Sequence, residues 1–127
     1  MAFVAFVTLL LLIQYTFFAI KAGQAREAAN IEAPAMSGDD TFERALRVQL
    51  NTQEQLVVTV PAMWLCAYYA SATFAGLMGI VFLVGRHIYR KAYIADPSTR
   101  GTGMMTGFIA NALMILIGFF GVLGALF

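Results

Sequence analysis

The chain has 127 residues, 61% hydrophobic and only 12% charged, with a net charge of +1. Soluble domains carry about 25% charged residues, so this composition excludes an ordinary water-soluble domain. No run of basic residues suggests nucleic acid as a partner.

The length fits one domain, residues 1–127. Three uncharged runs, Ala2–Ile20, Leu56–Gly85 and Met104–Phe127, reach the length at which membrane crossing begins, about 18–20 residues. Helix 1 is expected over about 2–26. Its apolar part spans about 28 Å, enough for one crossing. No basic residue precedes Lys21, and nineteen uncharged residues exceed the apolar core of a signal peptide, about 7–15 residues. Gln14 and Thr16 are strongly polar side chains within it, with helix–helix hydrogen bonding as the default role. Residues 27–41 read as a polar connection, broken by Pro34, Gly38 and two Asp. Asp40 or Thr41 is expected to cap helix 2, with Glu43 in its first turn.

Helix 2, expected over 42–70, opens with FERALRVQLNTQEQ (Phe42–Gln55). Arg44, Arg47, Asn51 and Glu54 fall within a helical sector of roughly 80°. Such a stripe can hold a small zwitterionic ligand, and it can equally be the solvated start of a helix. The apolar run that follows is thirty residues. That is about 45 Å as one helix, too long for a bilayer core of about 30 Å and too short for two full crossings. A hairpin turning near Tyr69–Thr73 puts all eight basic residues on one side, whereas a single helix splits them four and four. The positive-inside rule therefore favours four helices, with the charged connections cytoplasmic and both termini outside.

Each hairpin arm then has only about fourteen apolar residues, short of a span by about six. Helix 2 must reach back towards Leu50, and helix 3, expected over 73–95, forward towards Lys91. Asn51, Glu54, Arg86 and Tyr89 are drawn to the edge of the hydrocarbon, where charged groups are costly unless paired and suggest a function. A turn centred near residue 70 sets Glu54 level with Arg86, Asn51 with Tyr89, and Arg47 with Tyr93. Two polar stripes should therefore oppose each other. Pro61 should bend helix 2, Cys66 reads as a packing residue, and His87 has no second ligand at metal spacing. Asp96-Pro97 reads as an N-cap and first helical residue for helix 4, expected over 98–126 with Arg100 in its first turn. Gly76, Gly79, Gly118, Gly121 and Gly124 read as close helix packing.

The E-R-x-x-R-x-Q-x-N-x-x-E core at Glu43–Glu54, followed by GRHIYRKAYIADPSTRG at Gly85–Gly101, resembles the MAPEG family. These membrane-associated proteins of eicosanoid and glutathione metabolism include microsomal glutathione transferases and leukotriene and prostaglandin E synthases. NTQEQLVVTVPAMW (Asn51–Trp64) looks more like the bacterial branch. Eicosanoid-type members often have Tyr where Gln55 stands, and some carry paired Arg where Ala25-Arg26 stands.

The resemblance implies an all-α integral membrane bundle of four transmembrane helices, assembled as a homotrimer. It implies glutathione as co-substrate between subunits, no metal, a lipophilic second substrate, and a bacterial cell membrane rather than the endoplasmic reticulum. By position, Arg47, Gln49, Asn51 and Glu54 would hold glutathione, Arg86, Tyr89 and Tyr93 would line the site, and Arg26 would sit near its mouth. Arg100 would face the thiol. The activity implied is a glutathione transferase or peroxidase. The alternative is a non-catalytic lipid-binding or scaffold protein of the same fold. A small drug exporter ranks last, because helix 1 has no carboxylate and Glu54 lies near a helix end.

Overall fold

Capping chemistry sets the helix ends in a computed structural model that describes Met1–Phe127. Helix α1 runs Ala2–Ala28, and α2 runs Asp40–Tyr69. The cap of α2 is Asp39, one residue earlier than expected: its backbone is extended and its carboxylate accepts the Phe42 amide at 2.9 Å. Glu43 accepts the Gly38 amide at 3.3 Å and closes the turn behind that cap. Pro61 lies within α2 without ending it.

The hairpin turns where expected. Ser71 is extended, accepts the Phe74 amide at 3.2 Å, and starts α3 at Ala72–Ala95. At the far end, Asp96 caps a 3-10 turn, Pro97–Thr99, and α4 begins only at Gly101, running to Leu126. Arg100 is thus the last residue before α4 rather than a member of its first turn.

Helix α1 packs on α2 and α3, and α4 packs on the same two, so the α2–α3 hairpin is the middle of the bundle. The main core joins Val4, Val7 and Leu11 of α1 to Met63, Phe82 and Met114 of the other three helices. A smaller cluster of Phe18, Val48 and Tyr89 closes the charged end. In hydrocarbon, helices associate by close packing, and small residues permit it. The tightest approach is α3 to α4: a side chain at Gly103 would collide with the Tyr89 backbone, and one at Gly85 would meet the Gly107 amide at 3.1 Å. Gly118 and Gly121 similarly lie against Cys66 and Tyr69, whereas Gly124 faces open space.

The outer surface is apolar. Phe6, Leu9, Ile13, Val57, Phe108 and Phe120 are each more than half exposed, an arrangement suited to lipid rather than water. Three helices are long and apolar enough to cross a membrane: α1, α3, and α4 with its leading turn. Helix α2 has 30 residues, but its first half carries the charged stripe.

Candidate functional site

The hairpin brings the polar half of α2 against the C-terminal half of α3. Arg86, only 1% exposed, sends Nη2 to Asn51 Oδ1 at 2.8 Å and to Thr52 Oγ1 at 3.0 Å. Thr52 passes its own proton to the Val48 carbonyl at 2.8 Å, leaving its lone pairs for the guanidinium. Arg86 also lies over the Tyr89 ring, 4.1 Å from its centroid. Tyr89 is buried, and Tyr93 stacks on it with centroids 5.5 Å apart. The polar face on α3 is therefore a continuous Arg86–Tyr89–Tyr93 column.

No carboxylate completes this cluster. The only salt bridge in the chain is Arg47 Nη1 to Glu54 Oε1 at 3.5 Å, within α2, both side chains about half exposed (49% and 59%). Glu54 was expected level with Arg86; it pairs with Arg47 two turns away on its own helix, and Asn51 and Thr52 take the guanidinium. Moreover, Arg86 Nε is buried without any partner. A buried cation with no counter-ion costs several kcal/mol, of order ~3–5 when a partner is missing.

The other expected residues stand apart. Gln49 is half-buried on α2. Arg26 donates to the Ala35 carbonyl at 2.7 Å and lies 4.6 Å over the Phe42 ring, holding the 29–39 connection onto the start of α2. Arg100 is exposed and donates to the Pro97 carbonyl at 2.9 Å. It sits three residues before Gly103, whose backbone touches Tyr89, so the turn that carries it ends beside the column. An open recess of about 530 Å³ borders this region, walled by Asp40, Glu43, Arg44, Arg47, Leu50 and Tyr93 among others. Of the expected set it includes only Arg47 and Tyr93.

Asp96, in the turn before α4, has its carboxyl held below the usual range, chiefly by the Ser98 backbone amide. No group of three His, Cys, Asp or Glu converges anywhere.

Some polar contacts were not legible beforehand. Thr52 follows Asn51 directly, and nothing in its spacing marks it as an acceptor for Arg86. Thr59 Oγ1 lies 2.9 Å from Asn111 Oδ1, and Asn111 Nδ2 lies 3.4 Å from Gln55 Oε1, a polar link between α2 and α4. Gln14 does bond across helices, to the Leu83 carbonyl at 2.9 Å, whereas Thr16 bonds within its own helix to Leu12.

A lipid-facing four-helix bundle with a buried arginine and an α2 charge stripe at one end defines a class of integral membrane protein. The MAPEG family model matches residues 4–120, and the chain belongs to that family. An uncharacterised protein of Synechocystis sp. is 36% identical over 112 residues, covering 88% of this chain and 82% of that protein. Microsomal glutathione S-transferase 2 of Homo sapiens is 32% identical over 118 residues, covering 93% of this chain and 80% of that protein. A probable microsomal glutathione S-transferase of Dictyostelium discoideum is 36% identical over 75 residues, covering 59% and 50%.

Proposed function

We propose that this protein is a membrane glutathione transferase that activates the glutathione thiol for attack on lipophilic electrophiles. The observation that carries the reading is Arg86: a dry guanidinium whose Nε has no partner and whose neighbours Asn51 and Thr52 are neutral. Such a group is a site for an anion. Glutathione supplies two carboxylates and one ammonium, and the stripe supplies Arg47 and Glu54 of complementary sign with Asn51 and Gln49 between them. The names of the relatives support glutathione rather than another small zwitterion.

In this reading Arg47, Gln49, Asn51 and Glu54 hold the peptide, and Arg86, Tyr89 and Tyr93 form the facing wall. Arg100 swings from the Pro97 carbonyl to the thiol. Arg26, turned away from its own subunit's cluster, serves a site shared between neighbours in a homotrimer. The charged connections lie in the cytoplasm, here of a bacterial cell.

A thiol of pKa about 8.5 is a few per cent thiolate at pH 7. Lowering it by about two units requires roughly 2.7 kcal/mol, within reach of one guanidinium in a partly dry site. The thiolate sulfur then forms a bond to the electrophilic carbon and displaces its leaving group. On a hydroperoxide it attacks the terminal oxygen and breaks the O–O bond, giving a sulfenic acid and an alkoxide that takes a proton from water to become the alcohol. A second glutathione then displaces the sulfenic hydroxyl as water and forms the disulfide.

Stopped-flow mixing of purified protein with glutathione tests this by thiolate absorbance and proton release. Arg100→Ala should retain glutathione binding and lose most of the thiolate signal and conjugating activity. Full activity in that variant would remove Arg100 from the thiol. No thiolate in the unaltered protein would favour a non-catalytic lipid-binding or scaffold role.

A further inference from the structure

Glu43 closes the turn before α2, and Arg47 and Glu54 belong to the proposed glutathione site. That leaves Arg44, which reaches off its own helix. Its Nη1 donates to the Ile94 carbonyl at 3.1 Å and lies 3.4 Å from the Ala95 carbonyl. Both carbonyls end α3 and have lost their usual helical donors. The Ser98 amide, which would serve Ile94, goes to the Asp96 carboxylate at 3.0 Å, and the Thr99 amide, which would serve Ala95, goes to the Asp96 carbonyl at 3.0 Å. Pro97 has no amide to give. The negative end of the α3 dipole is therefore open at this corner, and a guanidinium from α2 closes it.

What this corner carries is Arg100. The segment Asp96–Arg100 leaves α3 at the carbonyls that Arg44 holds and rejoins the bundle where Gly103 meets the Tyr89 backbone. Thr99 Oγ1 stiffens it, 2.8 Å from the Asp96 carbonyl and 3.2 Å from that of Ala92. Nothing on α1 touches this turn by hydrogen bond. Arg44 is the side-chain tie between it and the helix that bears the glutathione stripe.

We propose that Arg44 is a positioning residue for Arg100: it fixes where α3 stops, and so where the Arg100 guanidinium sits relative to a ligand held on α2. The proposal rests on the reading of Arg100 as the group that stabilises the glutathione thiolate. A misplacement of about 1 Å at such a group can cost up to about a hundredfold in rate. Both contacts come from the single Nη1 nitrogen at the end of the longer arginine side chain, so a lysine ammonium, a compact charge on a shorter reach, replaces them only in part.

The test uses the full chain in lipid nanodiscs with glutathione as the probe. Glutathione affinity, the pH midpoint of thiolate formation and thermal midpoint are read for Arg44→Met, Arg44→Lys, Arg100→Ala and the Arg44→Met/Arg100→Ala double variant. Arg44→Met should keep glutathione affinity within about twofold while raising the thiolate midpoint by about one pH unit, about threefold less thiolate at pH 7 if the midpoint moves from about 6.5 to about 7.5. Arg44→Lys should recover part of that shift, and the double variant should be no worse than Arg100→Ala alone.

A large loss of affinity with the midpoint unmoved would make Arg44 a ligand contact, which its place on the recess wall allows, and would overturn the proposal. So would a lower thermal midpoint with affinity and thiolate both unchanged, or effects that add in the double variant. If Arg44→Met does not fold, Asp96→Ala loosens the same turn from its other side and must shift the thiolate midpoint the same way; no shift refutes the proposal. A failure of the underlying reading shows separately, as no thiolate in the unaltered protein or full thiolate in Arg100→Ala, and the Arg44 role falls with it.

Discussion

Arg86→Met is the perturbation that most directly questions the site. Met has no charge and reaches about as far as the arginine Nε, so the variant keeps the apolar stem between α2 and α3 while removing the guanidinium. In the unliganded protein two effects oppose each other. The variant loses hydrogen bonds to Asn51 and Thr52, of order ~1.5–3 kcal/mol each for a charged donor. It also loses the stack on Tyr89, about 0.5–2 kcal/mol. Against that, it abolishes the burial of a cation with no counter-ion and one unpaired nitrogen, a penalty of several kcal/mol. The losses of ~3.5–8 kcal/mol against ~3–5 kcal/mol recovered leave the variant modestly destabilised, by about 2 kcal/mol at the middle of the range. Thr52 can still donate to Val48, and Asn51 is half-buried, so neither is left sealed without a partner.

The liganded protein should behave differently. A ligand at about a hundred times its dissociation constant stabilises the unaltered chain by about 2.7 kcal/mol. At about 2–8 °C per kcal/mol that is a thermal shift of several degrees. Arg86→Met should lose most of that shift, read against the variant's own unliganded midpoint. Differential scanning fluorimetry in detergent, with and without glutathione, separates the two. If the variant unfolds on its own, Arg86 is a structural keystone. If it keeps the full glutathione shift, the buried guanidinium is not the anion site.

Two further outcomes are expected. Arg47→Ala and Glu54→Ala should each weaken glutathione binding by about tenfold, about 1.4 kcal/mol, with little change in unliganded stability. Isothermal titration checks both, and unchanged affinity in the pair would remove the α2 stripe from the site. Gly103→Val should cost at least about 2–3 kcal/mol, because its side chain would enter the Tyr89 backbone. The thermal midpoint reports it, and a midpoint equal to that of the unaltered protein would contradict the α3–α4 approach described here.

Much of the fold was legible because it follows from lengths. Thirty apolar residues suit neither one crossing nor two, and the hairpin that solves this places its turn at Ala70–Ser71. The small displacements have local causes. Asp39 and Asp40 are chemically identical candidates for the cap, and only the extended backbone at Asp39 selects it. Helix α4 starts at Gly101 rather than residue 98 because Asp96 draws the Ser98 amide into a tighter turn. The site was legible in its membership of stripes but not in its pairing. Opposing Arg86 to Asn51 or to Glu54 differs by less than one helical turn, and long side chains choose between such neighbours by what else they can reach. Glu54 reaches Arg47 on its own face. Thr59 and Asn111 were invisible for a different reason: they meet across α2 and α4, helices not adjacent in the chain, and each alone looks like an isolated polar residue in an apolar run.

The pairing that was missed also bears on how a ligand would enter. An exposed ion pair such as Arg47–Glu54 contributes about 0–1 kcal/mol. A zwitterion that offers a carboxylate to Arg47 and an ammonium to Glu54 therefore breaks a weak contact and replaces both halves of it. Arg86 is the opposite case. Its burial has already incurred the cost of leaving water, so an anion that reaches it gains an electrostatic interaction in a drier medium with no further desolvation of the protein group. Under the proposed function, the half-exposed pair supplies recognition at low cost and the buried guanidinium supplies affinity. A ligand carrying only one charge would satisfy one of these and leave the other as it stands. A doubly anionic zwitterion with an ammonium at one end is the smallest charge pattern that uses both.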